Sequence, residues 1–230
     1  WWVADQAILS IGAVNVPIYA TNSAEEAHYV LDHSESKVCF VATEDHLSRV
    51  LKVKNRLPKL KTLVVFNELP KKIAGIMTLD EAFRKGAAYK DQGAFDKRLK
   101  AVKLSDMATI IYTSGTTGNP KGVMLSHNNF VANVDQSLED FKTVLSADDV
   151  FLSFLPLSHS LERTSGYYMP VRLGAKVAFA VDVSVVQQDL LEVKPTCIIS
   201  VPRLYEKIHA GILAKVADAP PVADGRTKAR

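Results

Sequence analysis

The sequence contains little cysteine and little net charge, and each shortage excludes a class of protein. Its two cysteines, Cys39 and Cys197, lie too far apart in the chain for a redox motif or the usual metal-site spacing. Each lies within an apolar, strand-like segment, so we expect buried thiols. The net charge of +3 arises from 28 basic and 25 acidic residues that are mixed along the chain, which argues against a nucleic-acid-binding surface.

Membrane and export signals are also absent from the sequence. It has no run of about 18 apolar residues that would span a bilayer, no basic-then-apolar signal peptide and no N-x-[ST] glycosylation site. Together with the few cysteines, these absences predict a cytoplasmic protein. The chain begins with Trp1 and Trp2 rather than methionine, so we expect it to be either processed or a piece of a longer protein.

The composition and patterning that are present predict a globular α/β fold. Hydrophobic residues make up 47% of the chain and charged residues 23%, which is enough apolar material for a sizeable core. Helical periodicity alternates with short β-branched runs, as in "EDHLSRVLKVKNRL" followed by "KTLVVF". This alternation predicts mostly parallel sheets flanked by helices.

The distribution of these patterns along the chain predicts two segments. Residues 1–103 form a first α/β segment, in which 67–103 is rich in Lys, Asp, Gly and Ala and is expected to be a surface excursion rather than core. Residues 104–230 form a second α/β segment that contains a glycine-rich stretch and ends in "ADAPPVADGRTKAR", which has the composition of a loop.

The glycine-rich loop, "TSGTTGNPKG" at residues 113–122, concentrates the chemistry of phosphate binding. Its glycines allow positive φ angles and a close approach of main-chain N–H groups to an oxyanion. Lys121 supplies a positive charge and Pro120 restricts the backbone before it. The glycines are Gly115, Gly118 and Gly122, and the hydroxyl donors are Thr113, Ser114, Thr116 and Thr117. A flexible surface turn would explain Gly-Asn-Pro but not this many donors.

The loop differs from the Walker A pattern G-x-x-x-x-G-K-[ST]. Counted from Gly115, Lys121 has the required spacing, but Pro120 replaces the second glycine and Gly122 replaces the magnesium-binding hydroxyl. A Walker loop opens directly into a helix, whereas "GVML" predicts a strand, followed by a helix capped by Ser126. We therefore predict a loop between two strands that folds over a nucleotide.

The stretch "YTSGTTGNPKGVMLSH" resembles the signature phosphate loop of the adenylate-forming (AMP-binding) enzymes. The resemblance implies the N-terminal domain of that family, a loop that holds the β and γ phosphates of ATP, a catalytic role for Lys121 and a Mg²⁺ contact from Thr116. The phosphate-contacting residues that it implies are Thr113, Ser114, Gly115, Thr116, Thr117, Gly118 and Lys121.

Further blocks resemble the long-chain fatty acid–CoA ligases within that family. These blocks are "FLSFLPLSHSLERTSGYYMPVRLGAKVAFA", "KPTCIISVPRLYEKI" and "GAVNVPIYATNSAEEAHYVLDHSESKVCFV". The resemblance covers most of residues 1–215 and implies that His159, which follows an apolar strand and a proline turn, is catalytic and lies near the adenylate and the acyl channel. For Glu162 and Arg163, which follow it, we expect an intrachain ion pair or a cap.

The activity implied by the resemblance is the ATP-dependent conversion of a long-chain fatty acid to acyl-AMP and then to acyl-CoA, with Mg²⁺ and coenzyme A. The fatty acid, ATP and CoA are the implied partners, with no nucleic acid, and a hydrophobic substrate leaves peripheral membrane contact open. The Y-G-x-T-E and T-G-D motifs of the family and its C-terminal domain are not found after Arg203. We therefore expect an interior fragment of the N-terminal domain that is inactive alone.

Two other functions remain open from the sequence. The first is activation of a different carboxylate, or transfer of the acyl group to a carrier-protein thiol instead of CoA. The second is a nucleotide-binding module without chemistry, which the missing downstream motifs permit.

Overall fold

The computed structural model describes residues 1–67, 69, 71–113 and 118–217. Its named strands form two parallel three-stranded sheets and one antiparallel hairpin. Helices separate the parallel strands along the chain, which confirms the predicted α/β class. Among the described residues, no helix is both long enough and apolar enough to cross a membrane.

The first sheet is built from the N-terminal half of the chain. The elements in order are α1 (Trp2–Ser10), α2 (Ala24–His33), β1 (Val38–Val41), α3 (Glu44–Val53), β2 (Thr62–Val65), β3 (Ile76–Thr78), α4 (Leu79–Ala87) and α5 (Gln92–Ala101). The sheet order is β1-β2-β3 with every pair parallel. Parallel neighbours require a crossover, which α3 supplies between β1 and β2.

Local sequence explains where the helices of this half begin. Ser23 caps α2 by accepting from the Glu26 N–H at 3.2 Å, while the Glu26 carboxylate accepts from the Ser23 N–H at 2.7 Å. Thr43 accepts from the His46 N–H at the start of α3 in the same way. Both helices thus start at a hydroxyl residue that satisfies an otherwise unpaired backbone donor.

The core of the first sheet follows from apolar spacing on α3 and on the strands. Leu47, Val50 and Val53 recur at helical spacing on one face of α3 and are buried. They pack with the buried residues Leu31, Cys39, Val41, Leu57, Leu60, Leu63, Val65 and Ile76. Cys39 is thus a buried thiol, as predicted, and burial raises its pKa to about 12.

Part of the predicted surface excursion belongs to this core. Within 67–103, β3 pairs with β2, and Ile76 packs in the core cluster, so the prediction is wrong for these residues. The strand has only three residues and lies among charged and small ones, so its apolar signal is weak. Helices α4 and α5 contain no buried residue, and the segment boundary at residue 103 stays a prediction.

The second half of the chain begins with the hairpin and continues into the second parallel sheet. Its elements are β4 (Met107–Thr113), β5 (Lys121–Ser126), α6 (His127–Asp140), β6 (Val150–Ser153), a π-helix (Glu162–Tyr168), α7 (Met169–Leu173), β7 (Lys176–Phe179), α8 (Val186–Val193), β8 (Cys197–Ile198) and α9 (Pro202–Ala217). The sheet order is β7-β6-β8, again parallel.

Strand β6 is buried on both faces because helices cover both sides of this sheet. Successive strand residues point to opposite faces, and Phe151 and Leu152 accordingly belong to different clusters. Phe151 packs with residues of α6 and α7, namely Val134, Leu138, Met169 and Leu173. Leu152 packs with residues of α8 and α9, namely Val186, Leu190, Val193 and Leu204. A run of consecutive apolar residues is the pattern expected for a strand that is buried on both faces.

Helix α3 offers a matched test of this packing. Leu47 is 1% exposed and Leu51, on the same helix, is 38% exposed. We expect Leu47→Ala to lower the free energy of unfolding by about 2–5 kcal/mol, because it leaves a cavity in the core. Leu51→Ala should cost less than about 1 kcal/mol, since alanine has the higher helix propensity and little apolar area is lost. Urea unfolding monitored by circular dichroism measures both, and equal losses would contradict the assignment of this core.

Candidate active site

The glycine-rich loop connects the two paired ends of an antiparallel hairpin. Thr113 is the last residue of β4, Lys121 is the first of β5, and the two are cross-strand partners. Strand β5 runs directly into α6, which Ser126 caps through the Asn129 N–H at 3.3 Å. This arrangement confirms the prediction of a strand–loop–strand unit with a helix capped at Ser126, in contrast to a Walker loop.

The described part of the loop brings a hydroxyl and a cation together. Thr113 and Lys121 are both exposed, and cross-strand partners place their side chains on the same face of a hairpin. Gly118 has a φ of +95°, which only glycine adopts readily, as the sequence predicted for this position. The predicted phosphate contacts Ser114, Gly115, Thr116 and Thr117, with the Mg²⁺ contact of Thr116, lie outside the described residues.

Gly122 has a different role from the one that the sequence suggested. It lies within β5 without a positive φ angle. A Cβ atom on Gly122 would lie 2.7 Å from Ile110 Cγ2 and 3.3 Å from Tyr112 Cζ. The absence of a side chain at Gly122 therefore makes room for the side chains of Ile110 and Tyr112 on the opposite strand.

Aromatic residues of α2 contact the hairpin next to the loop, and sequence reasoning missed them. The Tyr29 hydroxyl donates to the Pro120 carbonyl at 3.1 Å, and the Tyr112 hydroxyl lies 2.8 Å from His33 Nδ1. The available signal was the four-residue spacing of Tyr29 and His33, which places both rings on one face of α2. Nothing in the sequence indicated that the face would meet the hairpin.

His159 lies beyond the carboxyl end of β6, in the turn that leads to the π-helix. Its N–H donates to the Pro156 carbonyl at 2.9 Å, and its Nδ1 accepts from the Leu161 N–H at 3.2 Å. The side chain is exposed. Because Nδ1 accepts a hydrogen bond, the neutral ring carries its proton on Nε2. The catalytic role of His159 stays a prediction.

A buried polar network lies directly behind this turn and holds three distant parts of the chain together. Arg163 Nη2 donates to Asp5 Oδ1 at 2.6 Å and Arg163 Nη1 donates to Thr109 Oγ1 at 2.8 Å. Tyr168 donates to Asp5 Oδ2 at 2.7 Å, and Asn15 Nδ2 donates to Asp5 Oδ1 at 2.8 Å. Asp5, Thr109 and Arg163 are each fully buried. The network therefore ties α1, β4 and the π-helix together.

Aromatic rings surround the guanidinium group of Arg163. Its Cζ lies 5.3 Å from the ring centroid of Trp1, 5.1 Å from that of Phe130 and 5.4 Å from that of Tyr168. A planar guanidinium is weakly hydrated and attracted to aromatic faces. The rings and the hydrogen bonds together offset the cost of removing this cation from water.

Glu162 is buried on the other side of the same π-helix. Ser153 at the end of β6 donates to Glu162 Oε1 at 2.5 Å. Burial raises the pKa of this carboxyl to about 7, although the Ser153 hydroxyl and the backbone N–H groups of Phe154 and Leu155 act in the opposite direction. A Cβ atom on Gly166 would lie 2.5 Å from Glu162 Oε1, so a larger residue at this position would force the Glu162 carboxyl to move.

The two adjacent charged residues therefore have separate partners. Arg163 forms the predicted intrachain ion pair, with Asp5, whereas Glu162 forms neither an ion pair nor a helix cap among the described residues but bonds to Ser153. The backbone N–H of Arg163 also donates to the His159 carbonyl at 3.1 Å. The position of the His159 turn thus depends on the buried residues that follow it.

The Asp5–Arg163 pair can be tested against an exposed pair of the same type. We expect Asp5→Asn to lower the free energy of unfolding by about 3–5 kcal/mol, because it leaves the buried guanidinium without a counter-charge. Asp135→Asn removes the partner of the exposed Arg172, 3.1 Å away, and should cost at most about 1 kcal/mol. Denaturant titrations of the two variants give the comparison, and similar losses would show that burial of the Asp5 pair has no energetic consequence.

Glu162 predicts a specific dependence of stability on pH. A carboxyl whose pKa rises from 4.5 to about 7 on folding binds its proton more tightly in the folded state. Its contribution to stability is therefore complete below the unfolded pKa and is lost as the pH rises through about 7. Since Glu162→Gln stays neutral, the stability difference between wild type and this variant should shift by on the order of 2 kcal/mol, against wild type, from pH 5 to pH 8.

The matched control for this experiment is Glu192→Gln on α8, where the carboxylate is exposed. In denaturant unfolding at several pH values, the difference from wild type should change more with pH for Glu162→Gln than for Glu192→Gln, because of these two carboxyls only that of Glu162 is buried. A flat difference for Glu162→Gln would contradict a buried carboxyl that is protonated near neutral pH.

Comparison with known proteins identifies the family. Residues 1–228 match the family described as AMP-binding enzyme. The long-chain-fatty-acid–CoA ligase FadD15 of Mycobacterium bovis is 37% identical over 212 residues, which cover 91% of this chain and 34% of that protein. The human long-chain-fatty-acid–CoA ligase ACSBG2 is 33% identical over 213 residues, 91% of this chain and 32% of that protein.

Solved structures share the fold. The anthranilate CoA ligase AuaEII in complex with anthranoyl-AMP has a TM-score of 0.67 and 22% identity, and the match covers 86% of this chain and 37% of that one. A red-emitting luciferase from Phrixothrix hirtus has a TM-score of 0.71 and 22% identity, with 88% and 38% covered. This chain spans about a third of the length of the curated relatives it matches. The family match over nearly all of its residues, in an α/β fold that carries a glycine-rich loop between paired strands, means that the chain belongs to the AMP-binding enzyme family.

Proposed function

We propose that the protein activates a long-chain fatty acid with ATP, forming acyl-AMP and then acyl-CoA. The observation that carries the proposal is the glycine-rich loop, which β4 and β5 hold at paired strand ends in a chain of the AMP-binding enzyme family. The substrate class is supported by relatives named long-chain-fatty-acid–CoA ligases.

In the first step, a carboxylate oxygen of the fatty acid attacks the α-phosphorus of ATP. The bond from that phosphorus to the oxygen bridging to the β-phosphate breaks, and pyrophosphate leaves as acyl-AMP forms. Negative charge develops on the pyrophosphate, and a fixed cation with hydrogen-bond donors stabilises that charge. We assign the cation to Lys121 and one donor to its cross-strand partner Thr113. Mg²⁺ bound with the nucleotide would neutralise further phosphate charge, and Thr116 is its proposed protein contact.

In the second step, the CoA thiolate attacks the acyl carbonyl carbon and AMP leaves. A fatty carboxylate is a poor acyl donor until its oxygen becomes part of a leaving group, and adenylation supplies that group. We propose that His159 lies beside the acyl-AMP. The position of the ring supports this proposal, since it lies beyond the carboxyl end of β6, and ligands of parallel α/β sheets bind at the carboxyl ends of the strands. The ring is exposed, and the Leu161 N–H fixes its orientation.

The proposed substrate class is tested by ATP–pyrophosphate exchange with the full-length protein. Carboxylic acids of increasing chain length and aryl acids are compared, and exchange should be greatest with long-chain acids. A preference for aryl or short acids would contradict the proposed long-chain substrate. The absence of exchange with any acid would overturn the proposal that the protein is an enzyme. Product analysis with CoA and with a carrier-protein thiol distinguishes the two acceptors.

Lys121 gives a specific variant for the same assay. We expect Lys121→Ala to lower exchange by on the order of a hundredfold, because the developing charge on pyrophosphate loses a fixed cation. Lys176→Ala is the matched control, since Lys176 is also an exposed lysine at the first residue of a strand. If Lys121→Ala exchanged pyrophosphate at the wild-type rate, Lys121 would have no role in the site.

A further inference from the structure

Helix α2 contacts the chain near both ends of the glycine-rich loop. The Tyr29 hydroxyl donates to the carbonyl of Pro120, the residue immediately before Lys121. His33 bonds to the hydroxyl of Tyr112, the residue immediately before Thr113. These contacts join residues 91 and 79 positions apart in the sequence. One helix therefore contacts the chain next to both Thr113 and Lys121, which we assign to phosphate binding, through the Tyr112 hydroxyl and the Pro120 carbonyl.

The side chains that make these contacts form a compact aromatic cluster. Tyr29 and His33 stack with ring centroids 5.4 Å apart and planes 22° apart. The Tyr112 ring meets both of them edge-on, with centroid distances of 6.1 Å and 5.7 Å, an arrangement that aromatic quadrupoles favour. Gly122 leaves the space that the Tyr112 ring occupies on the hairpin. The cluster is thus defined by packing on both sides as well as by hydrogen bonds.

Helix α2 is itself held firmly against the first sheet. Its Ser23–Glu26 capping box fixes its first turn, and Leu31 is part of the buried core that includes Leu47 and Leu63. A side chain on such a helix has a defined position relative to that sheet. Contacts from α2 to the hairpin therefore set the loop ends relative to a rigid part of the protein.

We propose that Tyr29 and His33 are positioning residues for the glycine-rich loop. Neither is proposed to touch the substrate; Tyr29 acts through the Pro120 carbonyl and His33 acts through the Tyr112 side chain. Tyr29 restrains the peptide that leads into Lys121, and His33 restrains Tyr112 and, through it, Thr113. This inference rests on the proposed function, because it assumes that the loop binds the phosphates of ATP.

The variants remove one hydrogen bond at a time from the full-length protein. Tyr29→Phe keeps the ring and removes the donor to Pro120, and His33→Leu removes the ring nitrogen that bonds to the Tyr112 hydroxyl. His33→Asn is the conservative rescue, since an asparagine amide can occupy a position similar to that of Nδ1 and can either donate or accept. Tyr205→Phe on α9 is the matched control, because Tyr205 is an exposed tyrosine.

We expect Tyr29→Phe and His33→Leu each to raise KM for ATP in the exchange assay by about 3–10-fold, the range of a lost neutral hydrogen bond. KM for the fatty acid should stay unchanged, and His33→Asn should recover at least half of the loss on a logarithmic scale. A residue that only stabilised the fold would change the unfolding free energy and both KM values together. In a double-mutant cycle, His33→Leu and Tyr112→Phe should be non-additive.

Calorimetric ATP binding separates this inference from the proposed function. If wild type binds ATP without exchanging fatty acids, and Tyr29→Phe weakens ATP binding, the inference stands and the proposed substrate fails. If wild type exchanges fatty acids while Tyr29→Phe and His33→Leu keep the wild-type KM for ATP, the inference is overturned and the proposed function stands. If wild type does not bind ATP, both are overturned.

Discussion

The buried ion pair between Asp5 and Arg163 determines how three parts of this chain are arranged. Both groups are fully removed from water, so each needs the other and a complete set of hydrogen bonds. Thr109 and Tyr168 supply those bonds to Arg163, and Asn15 to Asp5. Because its hydrogen-bonding partners belong to α1, β4 and the π-helix, the guanidinium can be satisfied only when all three are in place. The pair is thus a condition for assembling the hairpin against the second sheet.

Neighbouring residues of the π-helix serve two different buried sites. Arg163 points toward α1 and β4, whereas Glu162 points toward Ser153 at the end of β6. The wider turn of a π-helix is uncommon and often occurs near functional sites. Gly166 provides the space beside the Glu162 carboxyl. His159 lies in the turn before the π-helix, and its carbonyl accepts from the backbone N–H of Arg163. The buried π-helix therefore also sets the position of a candidate site residue.

Features encoded locally could be predicted from the sequence, and features that depend on distant partners could not. The cap at Ser126, the strand at "GVML" and the alternation of strands and helices depend on residues a few positions apart, and the structure contains them. The pairing of Arg163 with Asp5 spans 158 positions, and no periodicity reports on it. Strand β3 is recognisable only through its pairing with β2. Gly122 was misread because a glycine can provide space as well as a special φ angle.

The hairpin geometry explains why the loop would need support from α2. In a Walker loop, the helix that follows fixes the backbone donors and adds its dipole. Here the residue after the loop enters a strand, and the ladder fixes Thr113 and Lys121 only relative to each other. A two-stranded hairpin is marginally stable by itself and can twist as a unit. Orientation toward a ligand must therefore come from outside the hairpin. The hydrogen bonds of Tyr29 and His33 supply such an external reference, at Pro120 just before β5 and at Tyr112 in β4, next to the residues that we assign to phosphate binding.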